Sequence, residues 1–586
     1  MDFVHPSIFF IACAAAVWLL PGRFGRWLPP VAAAFAIASV LSMQPGTYTR
    51  IGYLGLTLGL GRVDALSTVF AHVFAIQALI GFIFALHVED RWQHVAACMY
   101  IAGAFGCTFA EDYVTLFVFW ELMSVASTFL VWLRRMPAST RAGIRYFLFH
   151  ILGGLLLLAG LLLRHQATGT FAFEAADPAA ARFYDILIML GFCVNAAVIP
   201  LHAWLPDAYP EATVTGAVFM SAFTTKTAVY VLLRAFTGFE ILGIMGTLMT
   251  IYGVIYATIE NNARRILAYH IVSQVGYMVA GVGVGTAMTV NGACAHAYAH
   301  ILYKGLLFMG AGTLLYAAGT AKLSDLGGLF RRLPWAFLWY MVAAVSISGF
   351  PLFSGFVSKT MTITGAAEAH HPWLALGMEF AAVGTFLSVG IKLPYFAWFG
   401  RPDPGVALRP VPRNMYVAMG IAGLLCFYIG VQPGFLYRLL PNPVDYVPYT
   451  PWHVLQSSLL LGFTGLGFYL LRHKLVPEAK INLDFDWVYR IIGRVVLALA
   501  RRPVEQIDNW WTEFYNRAGL RGLMNVADGS AWFDKRAIDG VVDGTALGVR
   551  RVGRTATGVQ TGRLQDYLAA AVVLGLAVFA VVWYAG

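Results

Sequence analysis

Apolar stretches of about twenty residues recur from one end of the 586-residue chain to the other, and a hydrocarbon core about 30 Å thick needs helices of that length. They lie near 6–21, 27–43, 64–87, 93–110, 112–133, 141–163, 183–206 and 210–236, then near 240–259, 265–288, 292–318, 334–364, 372–400, 413–432, 451–472 and 565–584. A helix satisfies its own backbone in lipid, so the expected fold is an all-α polytopic membrane protein of about 16 transmembrane helices. One segment breaks the pattern: residues 48–62 alternate and are rich in glycine, which predicts a short extramembrane hairpin. The charged share of 12% is about half that of soluble chains, which leaves lipid as the natural solvent.

A formal net charge of +10 could point to nucleic acid, but no basic stripe with interleaved aromatics is present, and nucleic-acid binding is excluded on that ground. The basic residues sit instead in short connections: Arg23 and Arg26, then Arg134, Arg135, Arg141 and Arg145, then Lys322, Arg331 and Arg332, then Arg401, Arg409 and Arg413. All of these connections are odd-numbered, so that side is expected to be cytoplasmic, with both termini on the periplasmic side of a prokaryotic plasma membrane. The start MDFVHPSIFF lacks the basic head of a signal peptide, so the first helix is expected to be retained. The six cysteines lie apart in apolar runs with no CxxC or CxxH spacing, which predicts no metal, no cofactor and no redox centre in this chain.

Residues 473–564 are charged and rich in arginine, and the stretch from Asp484 to Ala500 has helical periodicity with a cationic face. It reads as an amphipathic lateral segment on the cytoplasmic side, returning the chain to an anchor helix at 565–586. The organisation expected is N-terminal helices and hairpin over 1–90, repeats over 91–236 and 237–400, additional helices over 401–472, then the lateral segment and the anchor.

Ionisable residues inside spanning helices are costly and mark functional sites by default. Glu121 stands mid-run in LFVFWELMSVAS, and Lys226 in FMSAFTTKTAVYVLLR. His296, His300 and Lys304 follow at steps of four, one helix face rising about 12 Å. Lys359 follows SISGFPLFSGFVSK, where Gly349, Pro351 and Gly355 interrupt the helix and free carbonyls. VNAAVIPLHAWLP is broken in the same way at Pro200. Two broken helices in matching positions point to a transport site built from two inverted five-helix repeats. Any one of these charges could instead be a snorkelling or helix-pairing residue.

At these residues the chain resembles a known family. Pro200–Ala208 (PLHAWLPDA), TTKTAVYVLLR at 224–234, FWELMS around Glu121, ILAYHIVSQVGYM at 266–278, HILYKGLLFMGAG at 300–312 and GFPLFSGFVSK at 349–359 are similar to the proton-conducting antiporter-like proteins of membrane complexes. These include the D component of Mrp-type sodium/proton antiporters and the antiporter-like members of respiratory complex I. The tail stretches DKRAIDGVVDGTALG and TGVQTGRLQDYL resemble the end of the most distal antiporter-like member of complex I.

The resemblance implies that Glu121 is the carboxylate paired with a lysine in a first half-channel. It implies that Lys226 links the halves, that His300 and Lys304 continue a central hydrophilic axis, and that Lys359 ends the second half-channel. Lys392, where relatives often carry arginine, is a secondary candidate. Asn195 departs from the family, which usually places a titrating lysine there; either Lys226 takes over that role, with Glu121 pairing with it or with His150, or this half conducts poorly. NNARRILAY also departs, lacking an acidic residue before its basic pair, and that connection is expected to be structural.

The expected function is proton or sodium/proton translocation within a complex of several membrane subunits, most like the D component of Mrp antiporters. The alternatives are a pumping member of a complex I-like or membrane hydrogenase complex, and the energy-coupling membrane component of a bicarbonate-accumulating complex. The chain itself is not expected to be an enzyme.

Overall fold

The computed structural model describes residues 3–20, 22–53, 55–400, 405, 407–480 and 482–586. Arg401, used above for orientation, lies outside them, as does the side chain of Arg23.

The chain is mostly helical and resolves into two units, residues 1–486 and 487–586. Among the described residues, eleven helices are long and apolar enough to cross a membrane. The expectation of sixteen differs because several runs form shorter helices, Pro6–Leu19, Leu28–Ser42, Phe183–Asn195 and Pro334–Ser348, the last two ending at chain breaks. Arg91–Phe109 is long, but its polar first turn falls short in apolar character. The hairpin is present as strands Gly46–Tyr53 and Leu56–Val63, antiparallel, with Gly46 opposite Val63 and Tyr53 opposite Leu56.

Helix ends follow local chemistry. Asp64 accepts from the Ser67 amide in a reciprocal capping box, and Asp112 accepts from the amide and hydroxyl of Thr115. Asn262 caps the helix Ala263–Val284 by accepting from the amides of Arg264 and Arg265.

The same order of elements occurs twice. Asp112 and Asn262 each open a spanning helix, a 32-residue helix follows (Pro137–Thr168 and Ala287–Ala318), and a bridge returns the chain, Asp112 to Ala172 and Asn262 to Lys322. A broken helix comes next in both cases. The helices Glu240–Ile259 and Ala263–Val284 pack almost backbone to backbone: a Cβ at Gly283 would stand 1.9 Å from the Gly243 nitrogen. Only small residues allow that approach, a packing mode suited to lipid.

In the second unit, a run of helix from Phe485–Phe514 to Asp539–Gly558 is interrupted by π turns at Tyr515–Leu520 and Asp534–Ile538. The apolar helix Leu564–Ala585 closes the chain with no side chain buried.

Candidate functional site

Three of the four candidate lysines share one kind of seat. The helix 214–235 is interrupted at Phe223, and there the buried Lys226 donates from Nζ to the carbonyl of Ser221 at 2.5 Å. Tyr100 stabilises the same break, accepting from the Thr224 amide at 2.8 Å. At the second broken helix, Gly349 and Leu352 turn through positive φ between Pro334–Ser348 and Ser354–Glu368. Lys359 reaches back and donates to the Ile347 carbonyl at 2.8 Å, with Nζ 5.1 Å from the centre of the Tyr277 ring. Lys392 donates to the carbonyls of Thr258 at 2.5 Å and Glu260 at 3.0 Å, the last acceptors of Glu240–Ile259. It lies in a π turn, Phe386–Lys392, a geometry frequent at functional sites.

Lys304 differs from these three: its Nζ is wholly buried and has no hydrogen-bond partner in the protein. His300, one turn earlier, has neither ring nitrogen partnered. His296 is tied in, with Nδ1 3.1 Å from the Ser358 hydroxyl beside Lys359 and Nε2 3.4 Å from the Tyr303 hydroxyl. The Tyr303 hydroxyl is also 3.4 Å from Gln274 Oε1, and Gln274 reaches the Thr385 hydroxyl. Of the expected row, the His296 side chain is joined to its neighbours by hydrogen bonds, whereas the side chains of His300, its ring centre 6.2 Å from that of His296, and Lys304 make none within the protein. Buried polar atoms without a protein partner carry a large free-energy cost unless water reaches them.

The first half is arranged otherwise. Glu121 lies against Gly154, where a Cβ would come within 2.2 Å of its Oε1, so in this position the carboxylate rests directly on the glycine. That Oε1 has no partner, and among the described residues no ion pair joins Glu121 to Lys226 or His150. His150 binds its own helix through Nδ1 at the Tyr146 carbonyl and leaves Nε2 free. Asn195, at the end of Phe183–Asn195, is wholly buried with both amide atoms unpartnered. Past it the chain breaks through Ala197 and Pro200, and the Val194 carbonyl accepts from the Ala197 amide at 3.1 Å and from the indole N–H of Trp204 at 2.9 Å.

Arg264 of the unusual NNARRILAY connection makes a structural knot. Its buried guanidinium donates to the carbonyls of Pro210, Ala212 and Thr213 at 2.8–3.0 Å.

Several polar residues at these places escaped the sequence reading. Glu379 stands inside the run 372–400, accepts from Gln456, and lines a cleft with Lys359, Ser348, Thr364 and His453. His270, inside 265–288, has Nε2 2.6 Å from the Ser388 hydroxyl in the π turn that ends at Lys392. The rule that selected Glu121, an ionisable residue within an apolar run, selects both. Among the described residues, no group of three or more His, Cys, Asp or Glu side chains converges as a metal site.

A further cluster joins distant segments. Asp484 is almost fully buried, accepting from the hydroxyls of Tyr269 (2.6 Å) and Tyr252, with His202 Nε2 3.3 Å from its Oδ1. Asn482 contacts Glu260, whose carbonyl seats Lys392. Burial pushes the Asp484 carboxyl up, but His202 and the two tyrosine hydroxyls outweigh that and hold it at about 2.

Comparison with known proteins fits this geometry. Residues 110–387 match the family model described as NADH:quinone oxidoreductase/Mrp antiporter, transmembrane. Over those residues the chain is similar to antiporter-like membrane proteins. A Rhizobium meliloti (strain 1021) protein, named there as the A/B component of a probable K(+)/H(+) antiporter, is 28% identical over 470 residues, which is 73% of this chain and 46% of that protein. The chain thus spans about half the length of this curated relative. The Mrp complex of Dietzia sp. DQ12-45-1b contains a chain of the same fold, with a TM-score of 0.66 at 20% identity, covering 79% of this chain and 98% of that one. A chain of the archaeal membrane-bound sulfane sulfur reductase, a respiratory complex, matches with a TM-score of 0.68 at 23% identity over 98% of this chain and 99% of that one. The fold is therefore shared with chains of the Mrp and sulfane sulfur reductase complexes.

Proposed function

We propose that the chain is a proton or sodium/proton translocating component of a multi-subunit membrane complex, most like the D component of Mrp-type antiporters. The observation that carries this reading is the burial of five ionisable side chains, Lys226, Lys304, His300, His296 and Lys359, within an apolar helical body, which we take as one file. Lysine and histidine gain and lose protons, and a buried file of them provides successive holding places. In this scheme Glu121 receives the proton in the first half, Lys226 and Lys304 pass it between the halves, and Lys359 and Lys392 stand at the far end. The repeats are taken as 91–236 and 237–400, inverted with respect to each other. The complex is assigned to a prokaryotic plasma membrane, with both termini periplasmic and residues 473–564 on the cytoplasmic face.

One observation favours a second reading, a pumping member of a redox-driven complex. The likeness to the sulfane reductase chain extends over 98% of this sequence, against 79% for the Mrp chain. The co-purifying proteins separate the two: flavin or iron–sulfur proteins support the pump, and several small membrane proteins the antiporter. Transport itself is measured as pH-gradient dissipation in inverted vesicles, parent against Lys359→Ala, with assembly followed on native gels. Equal rates in the assembled complexes overturn the proposal of an ion pathway through this file.

A further inference from the structure

Asn195 leaves the first half without the amine that a titrating step at that place requires, and the broken helix it precedes carries one imidazole, His202. That ring is wholly buried. Its Nε2 lies 3.3 Å from Asp484 Oδ1, within ion-pair distance, and neither ring nitrogen is aligned for a hydrogen bond within the protein. The carboxylate arrives on a strap from the far end of the sequence, pinned by the Tyr252 and Tyr269 hydroxyls and by its own Phe485 amide. The Tyr256 hydroxyl donates to the neighbouring Leu483 carbonyl at 2.8 Å, so the strap is tied at two successive residues.

We propose that His202 is the proton-holding group of the first half, with Asp484 as the positioning carboxylate that balances its charge. This rests on the reading of the chain as an ion-translocating component and names a site within it. The imidazole takes a proton from the aqueous side on Nδ1 and gives it up inward from the same nitrogen, while Nε2 keeps its hydrogen toward Asp484, so His202 returns to the tautomer it started from. The imidazolium that forms between the two events stands opposite a carboxylate that stays ionised, so charge appears in a site already built for it. The division of labour is that of an imidazole with an orienting carboxylate behind it.

The groups facing this pair are few. Tyr252 and Tyr256 come from Glu240–Ile259, and Tyr269 from Ala263–Val284 with Arg265 and Glu260 acting on it electrostatically. The Arg145–Asp207 ion pair, 2.6 Å, lies on the broken-helix side with Arg145 under the influence of Asp486. Among the described residues, Asp484 supplies the carboxylate that the ring meets at 3.3 Å.

The test uses the assembled complex in inverted vesicles, with transport rate recorded against pH for the parent, His202→Gln, Asp484→Asn, Asp484→Glu and the double variant His202→Gln/Asp484→Asn. Loss of a proton-holding group is expected to lower the rate roughly tenfold or more per assembled complex. Asp484→Asn is expected to change the pH profile and Asp484→Glu to restore it. The double variant should be no slower than His202→Gln, because the carboxylate acts through the ring. Rates at the parental level in both single variants overturn the proposal, as does a loss that only tracks the amount of assembled complex with the pH profile unchanged. Lys359→Ala is run in parallel: parental transport there sinks the wider reading of the file, whereas loss there with none at His202 sinks this site alone.

Discussion

Lys359 Nζ and the Ile347 carbonyl are joined by a 2.8 Å hydrogen bond across the second broken helix, so the cation occupies the acceptor that the break set free. The pairing explains how an interrupted helix and a buried lysine coexist at one depth. Each removes a cost that the other would bear alone.

Replacing Lys226 with alanine is expected to abolish ion transport while the protein still inserts and assembles. The side chain sits at a helix interruption whose shape is held by Tyr100 and the backbone. Vesicle pH-gradient assays with native-gel controls read the result, and parental transport would remove Lys226 from the pathway.

Lys359→Ala and Glu121→Gln should each impair transport strongly, and Lys392→Arg only weakly. Lys392 donates to two carbonyls at a helix end, and a guanidinium serves that seat as well as an ammonium. A severe loss in Lys392→Arg with normal assembly would make residue 392, not 359, the terminal proton carrier.

Asn195→Lys restores the family residue where both amide atoms lack a protein partner, so the complex is expected to assemble. Its transport-versus-pH profile should differ from the parent, and the difference should vanish when Glu121→Gln is added. Superimposable profiles for parent and Asn195→Lys show that position 195 does not face the pathway.

Arg264→Lys tests the structural knot. A single ammonium cannot serve the carbonyls of Pro210, Ala212 and Thr213 in the same plane, and each acceptor left unmet costs about 1–3 kcal/mol. Thermal unfolding of the purified complex is expected to shift downward, with transport per assembled complex unchanged. Unaltered stability contradicts the assignment.

The strap predicts an acid response. Asp484 is held at about 2, below its unfolded value of about 3.9, so its stabilisation is complete above the latter and lost as pH falls through the former. Pepsin cleavage within 475–486 is expected to rise between about pH 4 and pH 2 in the parent, and to be high already at about pH 4 in Asp484→Asn. Equal cleavage of the two at both pH values contradicts a carboxylate-held strap.

Much of this was legible in the sequence for a physical reason: lipid allows few backbone solutions, so apolar runs and their interruptions announce helices and breaks. The hairpin announced itself by alternation. Lys226, His296, His300, Lys304 and Lys359 stood out because a charge in an apolar run has few innocent explanations. The carbonyl seats did not, since a main-chain acceptor leaves no trace in residue identity. Asp484 was hidden in a polar stretch where one more acid carries no signal, and its partner Tyr269 lies 215 residues away. The π turn around Lys392 also stayed invisible, because its residues are as apolar as any α-helix in lipid.

The seats of Lys226, Lys359 and Lys392 have one more effect. A carboxylate partner would turn each lysine into half of a couple, and a departing proton would strand a naked anion in oil. A main-chain oxygen is neutral before and after. On the proposed pathway each lysine would discharge and recharge like a capacitor plate facing an uncharged wall, and the opposite poles near by, Glu260 beside Lys392 and Glu379 in the cleft of Lys359, stand outside the seats themselves.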